Sequence, residues 1–194
     1  MKNLEKAFEL FDDYNRNASE HLIHEGTEYP SEYFYALKLH EWVTKLAPDA
    51  SESLLLASRA QHIGRWEIAR SSYPDGRVGY LKWRTDLSKF HASKAAEILE
   101  SIGYEEEIIQ RVQQIIRKQR IKDDHEVQTM ENALCLVFLQ YQYDDLIAKT
   151  SEEKMVNILQ KTWAKMSEPG QNMALSLHYS EEGKRLIHMA LSAA

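Results

Sequence analysis

One cysteine in 194 residues excludes an intrachain disulfide and points to a reducing compartment. That residue, Cys135, lies in the apolar run ALCLVFL, where a thiol reads as a small core side chain. Proline and glycine are also scarce, at four and seven, which argues against a loop-rich or all-β chain and for helices. No run approaches the ~18 apolar residues of a membrane span. The opening MKNLEKAFELFDDYN is charged and amphipathic, without the apolar centre of a signal peptide. The expected location is the cytoplasm, and no membrane is an expected partner. An excess of positive charge is missing too. The net charge of −6 gives no global attraction for nucleic acid, which is not an expected partner either.

What is present is a hydrophobic content of 43%, enough for a sizeable core in a chain of single-domain length. Leu4, Ala7, Phe8 and Phe11 recur at helical spacing over 3–16. A polar connector covers 17–30. A second helix is expected over 31–46, with Tyr33, Leu37, Trp42 and Leu46 inward, stopped by Ala47-Pro48-Asp49. A third runs from about 51 to Gly64, and the short link makes these two antiparallel neighbours. Further helices are expected over 78–102, 105–118 and 125–141, the last being the most buried. Ile108, Val112, Ile115 and Ile116 should face the core from the second of these. Thr150 and Glu153 resemble a capping box for a helix ending near Met166. Pro169-Gly170 breaks the chain, and a final helix covers 180–191. No strong strand pattern is visible. The expectation is an all-α single domain of seven to nine helices, spanning 1–194.

The chemistry concentrates around LLLASRAQHIGRW, residues 54–66, an apolar helix with a polar tip at Gln61, His62, Gly64, Arg65 and Trp66. His40, His62, His91 and Glu131 fall on helices expected in the core. Neutral imidazole and carboxylate are the usual donors for Zn, Mn, Fe or Ni, so these four are the candidate metal ligands. A basic set, Arg59, Arg65, Arg70, Lys82 and Arg84, is interleaved with Trp66, Tyr73, Tyr80 and Trp83. Arginine forks suit phosphate or carboxylate, and Arg65, Arg70 and Arg84 are the candidate phosphate contacts.

The order of these segments resembles the HD-domain superfamily of all-α metal-dependent phosphohydrolases. HEWVTKLA (40–47) looks like the segment of that pattern's first His. LLLASRAQHIGR (54–65) looks like the helix that ends His-Asp-Ile-Gly-Lys. HASKAAEILESIGY (91–104) resembles the downstream His helix, and MENALCLVFL (130–139) that of the distal Asp. The resemblance spans about residues 30–145, with extra helices at both termini. The chain is also similar to an uncharacterised, all-helical family of domains of unknown function. Two departures stand out: Gln61-His62 replaces the His-Asp pair, and Asn132 takes the distal Asp position. The pattern then lacks the bridging carboxylate of a two-metal site and leaves a one-metal site on His40, His62, His91 and Glu131. The resemblance implies hydrolysis of a small phosphorylated molecule such as a nucleotide. Glu67 or Glu131 would act as base, and Gln61 would join the ligand contacts. The alternative is a non-catalytic HD-like module that uses the same pocket to bind a small anion or a protein partner.

Overall fold

A computed structural model describes residues 2–192; residues 1, 193 and 194 of the expected domain span lie outside the described residues. The chain is mostly helical and forms two compact units, one ending at Ile121 and one starting at Lys122.

The first unit opens with α1, Lys2–Asn15, which buries Ala7 and Phe11. Next comes a hairpin that the sequence reading missed, β1 His21–His24 against β2 Thr27–Pro30, antiparallel with His21 opposite Pro30. Glu25 and Gly26 both take positive φ at its turn, as a two-residue hairpin loop of the primed kind requires. Each strand has only four residues, too few for period-two alternation to stand out.

Helix α2, Ser31–Leu46, begins after Pro30 as expected. Its buried stripe is Phe34, Leu39, Trp42 and Val43. Trp42 was foreseen, whereas Tyr33, Leu37 and Leu46 are only half-buried. Helix α3, Glu52–Ala60, starts at Ser51, whose side chain accepts from the Leu54 amide at 3.2 Å. It buries Leu54, Leu56, Ala57 and Ala60 and packs on α1 and α2. The Asp12–Arg59 ion pair, nearly buried on both sides, ties α1 to α3.

Helix α3 ends one turn before its expected limit. Residues 61–64 are turns, and Gly64 takes φ +65°. Two short 3-10 turns follow, Arg65–Glu67 and Arg70–Ser72. Helix α4, Gly76–Ser101, buries Trp83, Leu87, His91, Ala92, Ala95 and Leu99. Helix α5, Glu106–Ile116, buries Ile109, Val112, Ile115 and Ile116, so Ile109 replaces the expected Ile108. It stops two residues early, and Lys118 and Arg120 adopt left-handed backbone. Helix α3 touches both α4 and α5, and its C-terminal tip lies beside the middle of α4 and the C-terminal end of α5.

In the second unit, α6 covers His125–Tyr141 within the expected bounds, capped by Asp124. It is followed by α7 Tyr143–Ile147, α8 Glu152–Lys165, α9 Glu168–Leu175 and α10 Glu181–Ser192. Ser151, not Thr150, holds the N-cap position of α8. Pro169-Gly170 starts a helix instead of breaking the chain, because proline in a first turn gives up an amide with no intrahelical partner anyway. With α7 and α9 the described residues hold ten α-helices, more than the seven to nine expected.

Gly64 and Gly103 separate two costs. A Cβ at Gly64 would sit 2.8 Å from Glu67, 2.9 Å from Phe90 and 3.0 Å from Tyr14, whereas Gly103 at φ +79° has open space. Gly103→Ala should therefore cost only the left-handed backbone term, about 1–2 kcal/mol. Gly64→Ala adds a steric term of about 1–3 kcal/mol. Urea unfolding of both variants checks this, and equal losses would contradict it.

Candidate functional site

The tip beyond α3 is fastened from both sides. Gln61 Nε2 donates to the Ile116 carbonyl at 3.1 Å, at the end of α5. His91 Nδ1 lies 2.7 Å from the Ile63 carbonyl. A carbonyl only accepts, so Nδ1 carries the proton and His91 Nε2 keeps its lone pair. The His62 ring meets His91 edge-on, with centroids 5.9 Å apart. Gly64 then turns the chain so that the Arg65 guanidinium lies 5.0 Å from the Trp83 ring.

These groups wall a cavity of about 80 Å³. Gln61, His62 and Arg65 come from the tip. Arg84, Ser88 and His91 come from successive turns of α4, and Arg117 and Lys118 from the end of α5. Among the described residues that line it there are four cations and no carboxylate. Gln61 is 4% exposed, and its Oε1 is buried without a hydrogen-bond partner.

The electrostatics follow from this lining. Burial pushes His62 well below its usual pKa, and Arg65, His91, Arg84 and Lys118 push it further the same way. Burial lowers His91 to about 4, against the opposing bond to Ile63. Arg65 is lowered as well, by burial and then by Arg84. Both imidazoles are therefore neutral at pH 7, and Arg84 repels Arg65 across the cavity. An anion would relieve that repulsion and meet ready donors.

The other expected site residues lie elsewhere. His40 Nδ1 is 2.8 Å from Ser58 Oγ, and that hydroxyl donates to the Leu55 carbonyl at 2.6 Å. The Phe8 ring packs edge-on against His40 at 5.0 Å. His40 is thus held between α1 and α3 and does not line the cavity. Glu67 is exposed and accepts a short hydrogen bond from the Tyr14 hydroxyl. The Arg70 guanidinium is turned to the carbonyls of Tyr73 and Pro74, at 2.9 and 3.0 Å. Glu131 belongs to the second unit, where it is buried on α6 with Lys165 3.9 Å away. Its neighbour Asn132 accepts from the Ser167 amide at 2.9 Å and donates to Ser167 Oγ at 2.7 Å, fixing the start of α9. Among the described residues no group of three or more His, Cys, Asp or Glu side chains is arranged to hold a metal ion.

Arg117, Lys118 and Ser88 were missed. The signal that could have found the two cations is that α3 and α5 are both short helices ending in polar, basic residues.

The family model for a domain of unknown function, DUF4202, matches residues 5–187. The chain belongs to that family. Comparison of this DUF4202 chain with curated proteins and with solved structures returns no match. No helix among its described residues is long and apolar enough to cross a membrane.

The buried histidines set a pH dependence. A histidine in the unfolded chain titrates near 6.5, whereas His91 and His40 titrate near 4 when folded. Between those values the unfolded chain binds more protons, so stability falls as pH drops from 6.5 to 4. His91 alone accounts for on the order of 3 kcal/mol of that loss. His91→Asn keeps a donor for Ile63 but removes the titration. Its deficit relative to wild type in urea unfolding should shrink toward pH 4, and parallel curves would contradict the assignment.

Proposed function

We propose that the cavity at the end of α3 binds a small phosphorylated or otherwise anionic molecule by its anionic group. The observation that carries this is the lining itself: Arg65, Arg84, Arg117 and Lys118 beside two neutral imidazoles, with no carboxylate among the described lining residues. Surface arginines ordinarily pair with acids, and no carboxylate among the described residues lines this cavity beside Arg84 and Arg117. The volume argues the same way. About 80 Å³ is below the ~150 Å³ that admits benzene, so the cavity takes a phosphoryl or carboxylate head, with the rest of the ligand outside it. Arginine forks supply paired donors to such a head. Gln61 Oε1, which has no partner, can accept from the hydroxyl of a singly protonated phosphate.

Metal-dependent hydrolysis, with Zn, Mn, Fe or Ni, is the expectation attached to the HD-like reading of the fold. What supports it is that the tip histidine and the downstream-helix histidine, His62 and His91, lie side by side. Against it stands the ligand set. His40 is committed to Ser58, and no group of three or more ligand-type side chains gathers among the described residues. We therefore place binding ahead of turnover, and no hydrolytic step is assigned to Glu67 or Glu131.

Calorimetric titration with inorganic phosphate and pyrophosphate tests this reading. Arg84→Ala should weaken both by about 10- to 100-fold, the worth of a charge-assisted hydrogen bond. Arg70→Ala should leave both unchanged. Equal effects of the two substitutions, or no binding to wild type, would overturn it. Release of phosphate from p-nitrophenyl phosphate with added Mn or Zn, abolished by His62→Ala, would establish hydrolysis in its place.

A further inference from the structure

Arg65 lines a second, larger cavity of about 480 Å³, within the range of ligand sites. Its lining includes Trp66, Trp83, Glu20 and Glu32, so it differs in character from the basic cavity. Glu32 stands in the first turn of α2. Its carboxylate takes a hydrogen bond from its own backbone amide, yet Oε2 is buried with no partner. Burial raises its pKa, the sign of a carboxylate short of positive charge, and the pull of Arg65 does not offset this. Arg70, which also borders this space, directs its guanidinium to the Tyr73 and Pro74 carbonyls. The Trp83 indole N–H is likewise taken, by the Ile68 carbonyl at 2.8 Å, and the Arg65 guanidinium lies 5.0 Å from its ring, so among the described lining residues Trp66 is the tryptophan with no cation over its ring.

A buried, unpartnered carboxylate oxygen in one cavity with the Trp66 indole is the chemistry that recognises an ammonium group, through charge-assisted hydrogen bonding and cation–π attraction. The smaller cavity has the opposite preference, and Arg65 belongs to the walls of both. Once Arg65 is drawn onto an anion, Glu32 loses part of the positive charge it sees, and a ligand's own cation replaces it. We propose that the ligand is a phosphorylated amine whose phosphate occupies the basic cavity and whose ammonium lies against Glu32 and Trp66 of the larger one. This rests on the phosphate reading of the basic cavity and goes further by assigning the organic part of the ligand.

The test uses ω-aminoalkyl phosphates of two to six carbons, each paired with the alkyl phosphate of equal length, titrated against the full chain alongside inorganic phosphate. At the chain length that spans the two cavities, the amine should bind about tenfold more tightly than its alkyl partner, ~1.4 kcal/mol. Glu32→Gln should abolish that advantage, and because Glu32 pulls on Arg65 it should shift the affinities for inorganic phosphate and for alkyl phosphate by one common factor. Trp66→Leu, a second variant, should reduce the advantage with the carboxylate intact. Circular dichroism establishes that each variant is folded. If inorganic phosphate binds but no amine outperforms its partner, this inference is overturned and the phosphate reading stands. If the advantage persists in Glu32→Gln, the amine lies elsewhere and the inference is likewise overturned. If inorganic phosphate does not bind wild type, the parent reading has failed and takes this inference with it.

Discussion

Two side-chain-to-backbone hydrogen bonds hold the site together. His91 donates to the Ile63 carbonyl, and Gln61 donates to the Ile116 carbonyl. The residues between Ala60 and Arg65 are turns, not helix, and their carbonyls would be costly to bury unpaired. The His91 bond satisfies the Ile63 carbonyl, the Gln61 bond satisfies the last carbonyl of α5, and together they fix the tip of α3 against α4 and α5. They also do chemical work. One sets the tautomer of His91, and the other turns Gln61 so that its oxygen stays unpartnered. Gly64 completes the arrangement, since only a residue without Cβ fits its left-handed turn among Phe90, Tyr14 and Glu67.

The same arrangement stores unfavourable electrostatics. Four cations share one small cavity, and two histidines are kept neutral by burial. A protein under pressure for stability alone would pair those arginines with acids, as it does at Asp12–Arg59. Repulsion of this kind is tolerated where a ligand discharges it. Around Glu32 the imbalance has the opposite sign. The cation-lined cavity and the cavity that holds Glu32 share Arg65 as a wall, and the proposed ligand with both charges rests on that juxtaposition.

Much of the fold was legible from periodicity. Helices α2 and α6 fall within their expected bounds, because proline marks the start of one and Asp124 caps the other. The hairpin over His21–Pro30 was not legible: four-residue strands carry too little alternation, and Glu-Gly is a weak turn signal. The break expected at Pro169-Gly170 mistook a first-turn proline for a terminator. Of the residues singled out, Gln61, His62, Arg65, Arg84 and His91 line one cavity, since they share a helix tip and the face of a long helix. Arg117 and Lys118 were hidden, because their position depends on where α5 ends, and it ends through left-handed lysine and arginine without a glycine. His40 and Glu131 were placed by sequence order alone. Order cannot say that Ser58 claims one imidazole, or that the carboxylate belongs to a separate compact unit.

The central claim is that the tip of α3 forms an anion site, and nuclear magnetic resonance reads it most directly. Imidazole signals of His62, His91 and His40 are followed while inorganic phosphate is added at constant pH and ionic strength. The account predicts saturable shifts for His62 and His91 with a single dissociation constant, and none for His40. Shifts of all three together, or none before nonspecific salt effects set in, would contradict it.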